Sequence, residues 1–241
     1  MDPKDFLIRI DEWDQKIILK YNGLGGKSLT NILKFTSFFG RETLWIFLIA
    51  FYLFIWYDPF LLSYFSATFL IGLILILAIK QIVKRSRPYQ RLNNIDILEH
   101  KPTSRSFPSW HSYNIFSQGL LIGAFFLNSP LVTIALLIFG ILVSFSRIQL
   151  GVHYPSDVIF GFIFGVIGFI TAIYFIGPLI FEIFAYFEKI LNYEIQYRQL
   201  NSWLYKNIWY FFLCLSLFFI IFLLAIHKTI IEKIKKINQI N

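Results

Sequence analysis

Long hydrophobic blocks alternate with short polar intervals along this 241-residue chain. Six blocks read as membrane-spanning helices, at residues 43–57, 59–79, 113–128, 130–146, 157–175 and 207–226. Several are shorter than the roughly 20 residues that cross a bilayer core, so the helices are expected to extend into their polar-looking flanks. Ahead of the first block, Phe6, Ile10, Trp13, Ile17 and Ile18 recur at helical spacing with charges between them, the pattern of a helix lying in the membrane interface. A second interfacial stretch is expected between Gly177 and Lys206, because Gly177-Pro178 breaks the fifth block and Tyr, Glu and Trp follow. The pattern predicts an all-α fold: a polytopic membrane bundle of about six transmembrane helices with an amphipathic N-terminal helix. With no repeat or low-complexity linker, residues 1–241 are taken as one domain.

Composition strengthens the membrane reading. Hydrophobic residues make up 57% of the chain and aromatic residues 20%, and the mean hydropathy is +0.63. A soluble core cannot bury that much apolar surface. No apolar core directly follows a basic start, so a cleaved signal peptide is not expected. The lone Cys214 rules out an intrachain disulfide or a thiolate metal cluster and is expected to be a packing residue in the last span. The net charge of +8 does not indicate a nucleic-acid partner, because the basic residues cluster beside the spans instead of on a soluble module. The bilayer is the expected partner.

Three polar intervals carry candidate chemistry. The first runs from Lys80 through Lys84, Arg85 and Arg87 to Pro88; the second contains Ser106, Pro108, Ser109, Trp110 and His111; the third contains Ser146, Arg147, His153 and Asp157. Together they resemble the tripartite signature of the type 2 phosphatidic acid phosphatase superfamily, whose soluble relatives are acid phosphatases and vanadium haloperoxidases. That signature is Lys-x6-Arg-Pro, then Pro-Ser-Gly-His, then Ser-Arg-x5-His-x3-Asp. Every fixed position is matched except the Gly of the middle element, where this chain has Trp110. Span counting independently brings all three intervals to one membrane face.

A phosphoryl group in transfer spreads negative charge over its equatorial oxygens, and fixed donors must meet it there. Lys80, Arg87 and Arg147 are the candidates, Arg as a planar fork and Lys as a compact point charge. Lys84, Arg85 and Arg91 are assigned instead to snorkelling or topology marking. Pro108-Ser109 looks like a helix start, whose unpaired N–H groups favour an anion and to which Ser109 adds a hydroxyl. In the family the next residue lends its backbone N–H to the phosphate; Trp110 keeps that donor but brings an indole that either lines a lipid entrance or packs locally. Asp157 lies four residues after His153, close enough to orient the imidazole and raise its basicity. The resemblance implies that His153 is the nucleophile forming a phosphohistidine and that His111 is the general acid that later activates water. His100 and His227 are assigned structural roles.

No cofactor is expected, because around these intervals Asp157 is the only well-placed carboxylate and paired ligands for Mg or Zn are lacking. The resemblance implies a metal-independent lipid phosphate phosphatase. A phosphotransferase sharing the same intermediate is the alternative, separable by free phosphate release. A non-catalytic lipid or phosphate carrier is the reading from another class, but binding alone has no need of a His–Asp pair. Of 22 Lys and Arg, only Lys189, Arg198 and Lys206 fall on the face opposite the candidate site. The positive-inside rule therefore turns that site toward the cytoplasm, whereas many members of the superfamily face outward.

Overall fold

The computed structural model describes residues 2–191 and 197–238, without the side chains of residues 3, 191 and 228–238. Eleven α-helices are present among them: α1 (Pro3–Tyr21), α2 (Gly26–Ser37), α3 (Glu42–Ala50), α4 (Pro59–Val83), α5 (Pro88–Arg91), α6 (Trp110–Leu120), α7 (Pro130–Gln149), α8 (Pro155–Thr171), α9 (Gly177–Leu191), α10 (Trp203–Lys206) and α11 (Ile208–Asn238). No strand occurs among the described residues, only an isolated antiparallel bridge between Trp56 and Leu200. Five of these helices, α1, α4, α5, α7 and α8, begin on a proline, which in the first turn forfeits no helical hydrogen bond. Asp58 caps α4 by accepting from Leu61 N at 3.0 Å, and Ser129 caps α7 by accepting from Val132 N at 3.4 Å.

Four described stretches are long and apolar enough to cross a membrane: Pro59–Arg91, Pro130–Gln149, Pro155–Ile190 and Ile208–His227. Gly26–Gly40 and Glu42–Ile55 make a fifth if counted together. Two sequence expectations change. The block at 113–128 falls on the eleven residues of α6 and a six-residue π-helical turn, Leu121–Phe126, which together sit at the short end of the roughly 17–25 residues of a membrane helix. Gly177-Pro178 does not break the fifth block, because the π-helical turn Ala172–Ile176 precedes it and the helix runs on to Ile190. A π turn widens the coil and shifts the hydrogen-bond register where the proline ring would otherwise clash with the preceding turn. Of the expected interfacial stretch, residues 192–196 lie outside the described residues.

The chain divides into two compact units. The first, Met1–Arg41 with Leu70–Ile170, packs α2 and α6 on α7. Its α6 enters closely, because Gly72 of α4 leaves room for the Tyr113 ring and Gly161 of α8 lies where a Cβ would come within 2.6 Å of Ser109 O. α1 belongs to this unit: Ile18 is buried with Ile95, Ile148, Tyr154 and Val158, while Phe6, Leu7 and Trp13 are exposed. The second unit, Glu42–Phe69 with Thr171–Asn241, packs α3 against α11, with Phe47 on Phe218 at 5.0 Å. Cys214 is buried there as a free thiol, in line with a packing role.

Candidate active site

All residues singled out in the three intervals lie in the first unit, at the ends of α4, α6, α7 and α8. Lys80, in the last turn of α4, is buried and donates from Nζ to Arg105 O at 2.5 Å. Arg87 precedes α5 and spends its fork on carbonyls, with Nε to Ser104 O and Nη1 to Val152 O, each at 2.7 Å. The same Nη1 stands 3.1 Å from His153 Nε2. Arg147, at the end of α7, donates from Nη1 to Glu99 Oε2 at 2.5 Å and to the Ser37 hydroxyl. Its Nε is buried without a hydrogen-bond partner.

His153 sits in the turn between α7 and α8 and is 3% exposed. Its Nδ1 lies 3.4 Å from Asp157 Oδ2, in the first turn of α8. With a carboxylate at Nδ1 and a guanidinium at Nε2, the partners assign the proton to Nδ1 and leave the Nε2 lone pair facing Arg87. Burial, then the charges of Arg87, Lys80 and Arg147, holds the imidazole well below its ordinary pKa. A neutral ring with an oriented lone pair can attack phosphorus without first losing a proton.

The middle interval is a helix start. Ser109 is the N-cap of α6, accepting from Ser112 N at 3.4 Å, and its own N–H donates to Asp157 O at 2.9 Å. Its hydroxyl also accepts from Ser112 Oγ at 3.1 Å, so it is engaged locally. Trp110 is the first helical residue and is not among the positive-φ positions, so the backbone there does not require glycine. Its indole stacks on Tyr113 with ring centroids 5.7 Å apart. His111 follows, and its Nε2 is buried without a hydrogen-bond partner.

Sequence reasoning missed three participants. Arg85 is no snorkelling residue: Nη1 donates to Asp157 Oδ1 at 2.9 Å and Nη2 to Asp14 Oδ2 at 2.6 Å. The signal was available in Asp14, an acid on the Ile10 and Ile18 face of α1 where an apolar residue belongs. Glu99 holds both Arg147 and Arg41, the latter at 3.1 Å. Burial pushes its pKa up, but the two guanidiniums outweigh that and leave it below the usual carboxylate range. Asp157 is therefore not the only carboxylate at this cluster, although no three His, Cys, Asp or Glu side chains converge as a metal-ligand set among the described residues. Of the other residues set aside, Arg91 pairs with Asp11 at 2.5 Å, and His227 Nδ1 lies 2.8 Å from Leu224 O.

Apolar helices of membrane length, with histidines, cations and carboxylates gathered at their ends, define a multi-pass membrane protein with a buried polar centre. The chain belongs to the PAP2 superfamily, whose family model matches residues 59–181. It is 33% identical over 159 residues to the undecaprenyl-diphosphatase of Sulfolobus acidocaldarius, an alignment covering 61% of this chain and 70% of that one. Among solved structures, Aquifex aeolicus LpxE superposes with a TM-score of 0.58 at 20% identity, covering 66% of this chain and 93% of that one. The transmembrane PAP2 type phosphatidylglycerolphosphate phosphatase from Bacillus subtilis gives 0.53 at 23% identity, covering 77% and 90%.

Proposed function

We propose that this lipid phosphate phosphatase hydrolyses a phosphomonoester or diphosphate of a membrane lipid (phosphatidic acid, phosphatidylglycerophosphate or a polyprenyl diphosphate) through a phosphohistidine on His153. The observation that carries the mechanism is the His153 ring held between Asp157 at Nδ1 and Arg87 at Nε2. Nε2 attacks phosphorus, the bond from phosphorus to the leaving oxygen breaks, and His111 hands that oxygen a proton. His111 then takes a proton from water, whose oxygen displaces the imidazole and frees phosphate. Lys80, Arg87, Arg147, the Ser109 hydroxyl and the Trp110 N–H meet the phosphoryl oxygens, which replace the carbonyls and carboxylate that engage the cations in the free protein.

In this reading residues 1–241 form one integral membrane domain with six spans, the third built from α6 and its π turn. The family match from 59 to 181, which draws on both compact units, supports a single domain. α1 lies in the interface, a role supported by its exposed Phe6, Leu7, Ile8 and Trp13. The protein sits in the cell membrane with its active site toward the cytoplasm, and Trp110 lines the lipid entrance. No metal takes part.

Purified protein in detergent, given phosphatidic acid and a chelator, is expected to release free phosphate through many turnovers. A single stoichiometric burst without turnover would overturn the hydrolase reading. A panel adding phosphatidylglycerophosphate and polyprenyl diphosphates ranks the substrates; the name of the Sulfolobus relative favours the last.

A further inference from the structure

Asp157 is held by more than its histidine. The carboxylate is fully buried, and Oδ2 accepts from Ser106 Oγ at 2.5 Å and from Tyr154 N at 2.9 Å while facing His153. Arg85 takes the other oxygen, Oδ1, and lies over the Tyr154 ring with its Cζ 4.1 Å from the centroid. The opposite arm of the same guanidinium is held by Asp14, which is also fully buried. Asp14 in turn accepts from Ser156 N at 2.8 Å and from Ser156 Oγ at 2.5 Å, so an anion from α1 closes the first turn of α8.

We propose that Arg85 and Asp14 are positioning residues for the His153–Asp157 pair: Arg85 turns the Asp157 carboxylate so that Oδ2 faces the imidazole, and Asp14 on α1 holds Arg85 in that pose. The inference rests on His153 being the nucleophile. A carboxylate with one oxygen unclaimed can rotate among Ser106, Tyr154 and His153, whereas a permanent cation on Oδ1 fixes its plane. The N-terminal helix is thereby part of the catalytic machinery as well as a membrane contact.

The test uses full-length protein in detergent with dioctanoyl phosphatidic acid as probe. Arg85→Gln, Arg85→Lys and Asp14→Asn are measured alone and in an Asp157→Asn background, with His153→Ala alongside and thermal unfolding as the check on folding. Arg85→Gln is expected to lower kcat by about 10- to 100-fold with KM within about twofold, the scale on which partners one step removed from an active imidazole act in metal enzymes. Arg85→Lys recovers part of the loss, since one ammonium serves only one carboxylate at a time. None of the three lowers kcat further once Asp157 is Asn, because all act through that carboxylate. An unchanged kcat, an effect carried by KM, or the same fold-loss in the Asp157→Asn background overturns the proposal. If Arg85→Gln does not fold, the near-isosteric Asp14→Asn decides on the same criteria. His153→Ala separates the two levels: an active variant removes the nucleophile and this inference with it, whereas an inactive one beside unaffected Arg85 and Asp14 variants removes this inference alone.

Discussion

His153 is surrounded by cations and shut away from water, and this combination sets two expectations at the scale of single residues. His153→Ala removes the proposed attacking nitrogen and is expected to abolish turnover in a folded protein. Asp157→Asn changes tautomer and orientation only and is expected to cost about 10⁴-fold or less, as in other His–carboxylate pairs; equal rates for wild type and Asp157→Asn would make the pair structural. The second expectation concerns pH. Folding holds the imidazole well below its ordinary pKa of 6.5, so between those two values the unfolded chain binds a proton that the folded chain does not. The stability carried by neutral His153 is thus present above 6.5, falls as pH drops through it, and levels out below the folded value. Melting temperatures across pH 8 to 5 are expected to fall more steeply for wild type than for His153→Ala, and parallel curves would refute the assignment. The sequence displayed His153, Asp157 and the Arg87 and Arg147 forks because their spacing is local. It concealed Arg85 and Glu99, whose partners Asp14 and Arg147 lie 71 and 48 residues away along the chain.

At the scale of elements, the start of α6 is where this chain leaves its family. Trp110 occupies an ordinary helical position, so Trp110→Gly is expected to preserve turnover of a short soluble phosphoester through the same backbone N–H. If the indole lines the lipid entrance as proposed, the ratio of long-chain to short-chain turnover is expected to change more than short-chain turnover itself. An equal factor on both substrates would instead put the indole in the phosphate cradle. The same helix depends on Gly161, where a Cβ would meet Ser109 O. Gly161→Val is expected to cost about 1–3 kcal/mol by overpacking and to lower activity by displacing the helix start; an unchanged melting temperature would show that α6 can retreat freely. Helix starts at Pro59, Pro130 and Pro155 were legible from proline and its neighbours. α2 escaped, because its apolar face alternates with Lys27, Asn31 and Lys34 and it closes on α7 through contacts no local pattern reveals. The join at Gly177-Pro178 misled, because a π turn absorbs what proline normally breaks.

At the scale of the whole molecule, the charge asymmetry supports the proposed cytoplasmic orientation of the catalytic face. Basic residues flanking apolar helices resist translocation, and this chain has 22 Lys and Arg, all but Lys189, Arg198 and Lys206 assigned by span counting to the catalytic face. Lys80, Arg87 and Arg147 are proposed to bind phosphate, yet setting them aside leaves the asymmetry standing. The α6–α7 hairpin offers a direct test, since the loop bearing Asn94 belongs to the catalytic end and Leu127 to the turn at the other end of the hairpin. Both side chains are exposed. In a Cys214→Ser background that removes the lone native thiol, Asn94→Cys and Leu127→Cys report the two ends separately. A membrane-impermeant maleimide added to intact cells is expected to label Leu127→Cys and to reach Asn94→Cys only after permeabilisation. The reverse pattern would turn the active site outward, and the excess of basic residues would then have to serve anionic lipid at the outer surface instead of topology.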